Sequence, residues 1–212
     1  MQKNLLTILM IFVIIFSGVS FKETTATSIE KNLLENDLSI LTQNCYIPRF
    51  WDKWIRMDIL SEKISNYDII FLQEILFSSE LNPIDKEFTR TYEDARVGPK
   101  GGLVILTKKE PKEIQFYKYK EQGSIFSLQF FDRLLEKGVL VAQFDDLILI
   151  NTHLISPYNS DINGTDYKHN IKQFYELFDI VEEEIKKNKT IILGGDFNFN
   201  EDSVQYKEIT TL

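Results

Sequence analysis

The chain has 212 residues, 43% of them hydrophobic and 26% charged, with 16 Phe, 9 Tyr and one cysteine. That apolar and aromatic content excludes a disordered chain, and the length suits one domain that buries its core without an internal disulfide, which a single cysteine cannot make. A net charge of −8 argues against a protein that gains its affinity by neutralising nucleic-acid phosphates, and leaves open a phosphate ester held through a metal.

Lys3 precedes an apolar run over residues 5–16, and Ser17-Gly18-Val19-Ser20 supplies small residues for cleavage, the pattern of a secretory signal. Residues 1–20 are expected to direct secretion, or to stay as a membrane anchor if Gly18, Val19 and Phe21 extend the run toward the ~20 apolar residues that span a bilayer. Residues 21–37 read as a polar leader and residues 38–212 as the folded domain.

In that domain, alternation of apolar and polar residues over 38–44 predicts a half-buried strand. Over 49–65, Trp54, Met57, Leu60 and Ile64 recur every three or four positions, which predicts an amphipathic helix with these four facing inward. The apolar run 68–73 suits a strand buried on both faces, and a helix between two strands predicts a βαβ crossover. Gly101-Gly102 opens a strand over 103–107, and strands are expected at 114–119, 126–131, 139–144 and 147–152. Residues 168–187 return to helical period, with Ile171, Phe174, Phe178, Val181 and Ile185 on one stripe. A last buried strand covers 190–193, and Gly194-Gly195 is expected to end it and display Asp196-Phe197-Asn198 at its carboxyl edge.

Asn44, Glu74, His153 and the pair Asp196 with Asn198 each follow an apolar run directly. A single polar residue there is ordinarily a turn former or helix cap; four strand ends so equipped point to one shared edge, where sheets with helical crossovers bind ligands. Glu, Asp and Asn oxygens are hard ligands suited to Mg²⁺, Mn²⁺ or Ca²⁺, and one histidine beside such an ion can orient or stabilise a phosphoryl group. Two histidines in all exclude a zinc site built on several, and no GxSxG or GxxxxGK[ST] run is present. Metal-assisted hydrolysis of a phosphate ester is then the leading chemistry.

Five runs in order, Leu41-Thr42-Gln43-Asn44-Cys45, residues 67–74 ending in Leu72-Gln73-Glu74, Gly102-Leu103-Val104-Ile105-Leu106, Asn151-Thr152-His153-Leu154 and Gly195-Asp196-Phe197-Asn198, resemble the endonuclease/exonuclease/phosphatase superfamily. Within it the chain looks most like neutral sphingomyelinases and related phosphodiesterases, through Asn44-Cys45-Tyr46-Ile47-Pro48, Asp132 five residues before Lys137-Gly138, Tyr158-Asn159 after His153-Leu154, and His169 with Gln173, Glu176 and Leu177. The resemblance implies an α/β fold of two face-packed β-sheets flanked by helices, a DNase I-like four-layer α/β/β/α sandwich. It implies that Glu74 holds a divalent metal with Asn44 beside it, that His153 stabilises the phosphoryl oxygens, and that Asp196 and Asn198 position the attacking water. Asp132 and Lys137 would stand near the substrate, a phospholipid at a membrane surface, with an exposed ion pair in a turn as the equal alternative. The family then supplies a Ser-Asp-His motif carrying the general base, which residues 199–212 do not contain, so the domain is expected to be incomplete at its C-terminus. A nuclease on the same fold is a second reading, disfavoured by acidity and by only five arginines, and a homologue that binds metal or lipid without turnover is a third. Trp51, Trp54, Phe126, Phe130 and Phe131 are read mainly as core, with lipid contact as the alternative, and residues 159–164 as a loop rather than a calcium site.

Overall fold

A computed structural model describes residues 10–14, 38–45, 52–96, 98–123, 136–157, 164–200 and 202–210. In strand β3 (Ile69–Gln73), Ile69 and Phe71 point to one face and Ile70 and Leu72 to the other, as successive strand residues must, and all four are buried. Apolar material is therefore required on both sides of this strand, and the layers follow from that.

The first sheet has the order β2 (Ile40–Asn44), β3, β5 (Val104–Thr107), β4 (Thr89–Thr91). Helix α1 (Lys53–Ile64) joins β2 to β3, which run parallel from Ile40↔Ile69 to Asn44↔Gln73, so the expected βαβ crossover is present. The second sheet has the order β1 (Met10–Ile14), β9 (Thr190–Asp196), β8 (Leu147–His153), β7 (Gly138–Gln143), β6 (Glu113–Lys118). Helix α2 (Thr165–Ile185) connects β8 to β9, again a parallel pair, and a short helix α3 (Val204–Thr210) follows β9. Ile69, Phe71, Leu103 and Ile105 of the first sheet meet Leu140, Ala142, Leu149 and Ile192 of the second. The outer face of the first sheet packs on Met57 and Ile64 of α1, and that of the second on Phe174, Leu177 and Val181 of α2. The result is the four-layer α/β/β/α sandwich that the motifs lead one to expect.

Three details depart from the expectations. Met57 and Ile64 are buried, whereas Trp54 is 51% exposed: Met57 and Ile64 are nearly aligned along α1, and Trp54 sits about 60° off that line at 3.6 residues per turn, at the margin of the covered stripe. Strand β9 runs through Gly194 and Gly195 to Asp196 instead of ending before them. A Cβ on Gly194 would lie 2.5 Å from the Phe71 ring, so glycine serves the close approach of the two sheets and not a strand stop. Finally, Met10–Ile14, inside the segment read as an export signal, pairs parallel with β9 from Met10↔Ile191 to Ile14↔Gly195. The expected strand at 126–131 and the leader at 21–37 lie outside the described residues.

Candidate active site

The two parallel pairs, β2/β3 in one sheet and β8/β9 in the other, end at one edge of the sandwich, and that convergence builds the site. Asn44 is paired with Gln73, which puts Glu74 one residue beyond, and His153 is paired with Asp196. Asn44 Nδ2 donates to Glu74 Oε1 at 3.0 Å and to Asp196 Oδ2 at 2.8 Å, so a single amide joins carboxylates carried by different sheets. His153 Nε2 lies 3.9 Å from Glu74 Oε1 and 3.7 Å from Asp196 Oδ2. These separations exceed a hydrogen bond and leave Nε2 facing the two carboxylates across a gap. Asn198 donates its backbone N–H to Asp196 Oδ1 at 3.1 Å and its side-chain amide to Leu154 O at 2.9 Å.

Two of these residues hold left-handed backbone, Glu74 at φ 61 and Asn198 at φ 52. Asparagine tolerates that region; for glutamate it is a local strain that the surroundings must impose. The turn Lys100–Gly102 does so, because Gly102 O accepts the Ile75 N–H at 3.0 Å and a Cβ on Gly102 would come within 3.3 Å of Glu74 Cα. At the end of β2, Cys45 N–H donates to Gln73 O at 2.9 Å, and Arg56 of α1 donates to Cys45 O at 3.0 Å.

Burial dominates the electrostatics. It pushes the Asp196 carboxyl above the ordinary 3.8; hydrogen bonds from Asn44 and Asn198 and the charge of Lys137 oppose that shift, and the charge of Glu74 adds to it. Burial, and then the charge of Lys137, hold His153 well below 6.5, so it is neutral near pH 7. Lys137, immediately before β7, is fully buried, and its field reaches both groups. His153 Nδ1 is buried with no hydrogen-bond partner among the described residues. With both carboxylates on the side of Nε2, the tautomer protonated there is favoured.

Hard oxygen donors drawn together at low exposure fit a divalent cation such as Mg²⁺, which takes one or two carboxylates and keeps waters. Among the described residues no group of three or more His, Cys, Asp and Glu closes around a common point, so Glu74 and Asp196 would leave most of such a shell to water and substrate.

The structure thus brings together Asn44, Glu74, His153, Asp196 and Asn198, with Lys137 acting through its charge. Asp132 lies outside the described residues, as do Trp51, Phe126, Phe130, Phe131 and residues 159–163. His169 belongs elsewhere: its Nδ1 is 2.9 Å from Glu121 Oε1. A buried lock escaped the sequence reading. Asn151 Nδ2 donates to Leu72 O and Val104 O, and its Oδ1 accepts from Gln73 Nε2, all at 2.9 Å, while Gln73 also donates to Thr42 Oγ1 at 3.1 Å. The signal was there, since Gln73 and Asn151 are polar residues within apolar strands.

A profile of the Endonuclease/Exonuclease/phosphatase family matches residues 41–212. "Phospholipase C" of Staphylococcus aureus is 24% identical over 208 residues, covering 82% of this chain and 61% of that protein. The chain therefore spans about three fifths of the length of the curated relatives it matches. Among solved structures, an F277A, P278A mutant of beta toxin from Staphylococcus aureus with bound magnesium ions superimposes with a TM-score of 0.67 at 22% identity, over 83% of this chain and 70% of that one. TDP2 from Caenorhabditis elegans superimposes with a TM-score of 0.64 at 20% identity, over 82% and 51%. At such identities these two likenesses bear on the fold alone.

Proposed function

The chain belongs to the endonuclease/exonuclease/phosphatase family, and from that premise we propose that it is a divalent-metal-dependent phosphodiesterase acting on a phospholipid headgroup ester. The observation that carries the reading is the Asn44 amide bridging Glu74 and Asp196 from two sheets, with His153 Nε2 3.7–3.9 Å from both carboxylates. The phospholipid substrate is supported by the relative named phospholipase C and by the net charge of −8, which disfavours a polyanionic nucleic acid.

In this reading Glu74 holds the metal, with Asn44 fixing its carboxylate. The metal, when bound, polarises a phosphoryl oxygen and lowers the pKa of water. Neutral His153 donates a hydrogen bond from Nε2 to a phosphoryl oxygen, where charge grows as the ester is attacked. Asp196 and Asn198 orient the attacking water, Asp196 being itself oriented by the Asn198 N–H. Burial keeps His153 neutral, and the charge of Lys137, assigned with Asp132 to the substrate side, adds to that effect.

Headgroup release from sphingomyelin and phosphatidylcholine vesicles, with and without EDTA, tests the proposal. Metal-dependent release supports it; plasmid nicking without lipid turnover would replace it with the nuclease reading. A second reading, a homologue that binds metal or lipid without turnover, is favoured by one observation: His169 is paired with Glu121 at 2.9 Å, which leaves His153 as the one histidine beside the carboxylates. Metal binding by calorimetry with no release from any phosphodiester would establish it. Secretion through residues 1–20 is part of the proposal, and cleavage after Ser20 would remove β1 and open the outer edge of β9. N-terminal sequencing of exported protein tests that step.

A further inference from the structure

Ile155 is the second residue past β8, and both of its backbone polar groups end on side chains of α2. Gln173 Oε1 accepts the Ile155 N–H at 2.8 Å, and Asn170 Nδ2 donates to Ile155 O at 2.8 Å. The same Asn170 amide donates to Phe197 O at 3.1 Å, the carbonyl between Asp196 and Asn198. Gln173 Nε2 reaches the other way, donating to Glu121 O at 2.8 Å. Asn170 is held in turn by Gln205 of α3, whose Nε2 donates to Asn170 Oδ1 at 3.4 Å and whose Oε1 accepts from Tyr167 at 3.0 Å.

Asn170 and Gln173 are three residues apart and share a helix face, and both are fully buried. From Phe174 through Leu177 to Val181 the buried face of α2 is apolar. Buried amides stabilise less than apolar side chains of the same size unless their partners need them. Here the partners are the loops that follow β8 and β9, which carry His153 at one end and Asn198 at the other. Those loops are also tied directly, through Leu154 N–H to Asp196 O and the Asn198 amide to Leu154 O, both 2.9 Å.

We propose that Asn170 and Gln173 are positioning residues of the candidate active site, a clasp on α2 that sets the loop after β8 against the loop after β9. The clasp holds His153 at its distance from Asp196 and keeps Asn198 in its left-handed conformation. Neither side chain touches substrate. The rate effect rests on the phosphodiesterase reading; the geometric effect does not.

The test compares wild type with Asn170→Leu and Gln173→Met, both close to the native volume. In each, kcat on the vesicle substrate is expected to fall about 100-fold, as a misplacement near 1 Å does, with KM and Mn²⁺ affinity within about threefold. The His153 ring and Asn198 amide NMR signals are expected to shift while those of β3 and β5 stay in place. A folded Asn170→Leu and Gln173→Met with wild-type kcat and unmoved His153 and Asn198 signals would overturn the clasp. So would failure of both variants to fold, which would make the amides plain structural supports. If wild type itself turns over no phosphodiester, the functional reading fails by itself, and the His153 and Asn198 signals alone decide the clasp.

Discussion

Replacing Asn151 by leucine removes the polar lock between the sheets while nearly keeping its volume. Leu72 and Val104 are the last pair of the β3–β5 ladder, and Asn151, from the opposite sheet, donates to both of their carbonyls. Leucine leaves the two carbonyls buried without that donor, at about 1–3 kcal/mol each, while Gln73 keeps Thr42 as acceptor. The added apolar burial returns about 1–2 kcal/mol. The net loss is about 1–4 kcal/mol, a large part of the roughly 5–15 kcal/mol that holds a domain folded. For a chain of this size that is a fall in Tm of roughly 2–16 °C. Guanidinium unfolding followed by circular dichroism should show a lower midpoint at an unchanged slope, and Asn151→Leu combined with Gln73→Met should cost less than the sum of the two changes. A loss below about 1 kcal/mol, or strict additivity with Gln73→Met, would refute the claim that this network locks the two sheets together.

Three further outcomes are expected. Gly194→Ala places a methyl 2.5 Å from the Phe71 ring and should destabilise by about 1–3 kcal/mol, with partial recovery in Phe71→Leu; urea midpoints of the three proteins check this. Lys137→Met removes the second cause of the His153 shift and leaves burial, the first, so an NMR titration of the His153 ring should show its pKa rise and stay below 6.5; an unchanged value would show that the lysine's field does not reach the ring. In metal-free protein, the depressed His153 contributes stability that is present above 6.5 and lost as pH falls through its folded value. The raised Asp196 contributes stability that is present below 3.8 and lost as pH rises through its folded value. His153→Asn should therefore flatten the fall of the urea midpoint below pH 6.5, and Asp196→Asn the fall on the way up from pH 3.8; slopes like wild type in both would contradict the assignment.

The sequence by itself determined most of the elements and which polar strand ends meet at one edge of the sandwich. Periods of two and of three to four residues are local properties of the chain, so β3, α1 and α2 were legible, as were the polar strand ends Asn44, Glu74, His153, Asp196 and Asn198. Met10–Ile14 was legible as apolar but not as a strand, because an apolar run is equally an export signal until a partner edge is present, and here β9 supplies one. Thr89–Thr91 has too few residues to show a period. Only the tertiary structure decided what depends on distance across the sandwich: that one Asn44 amide joins carboxylates 30 and 152 positions away, that Gly194 admits Phe71, and that Asn151, Asn170 and Gln173 spend their hydrogen bonds on backbone far along the chain. Such partners leave no mark in local periodicity, because a buried amide is explained by the carbonyl it meets and not by its neighbours in sequence.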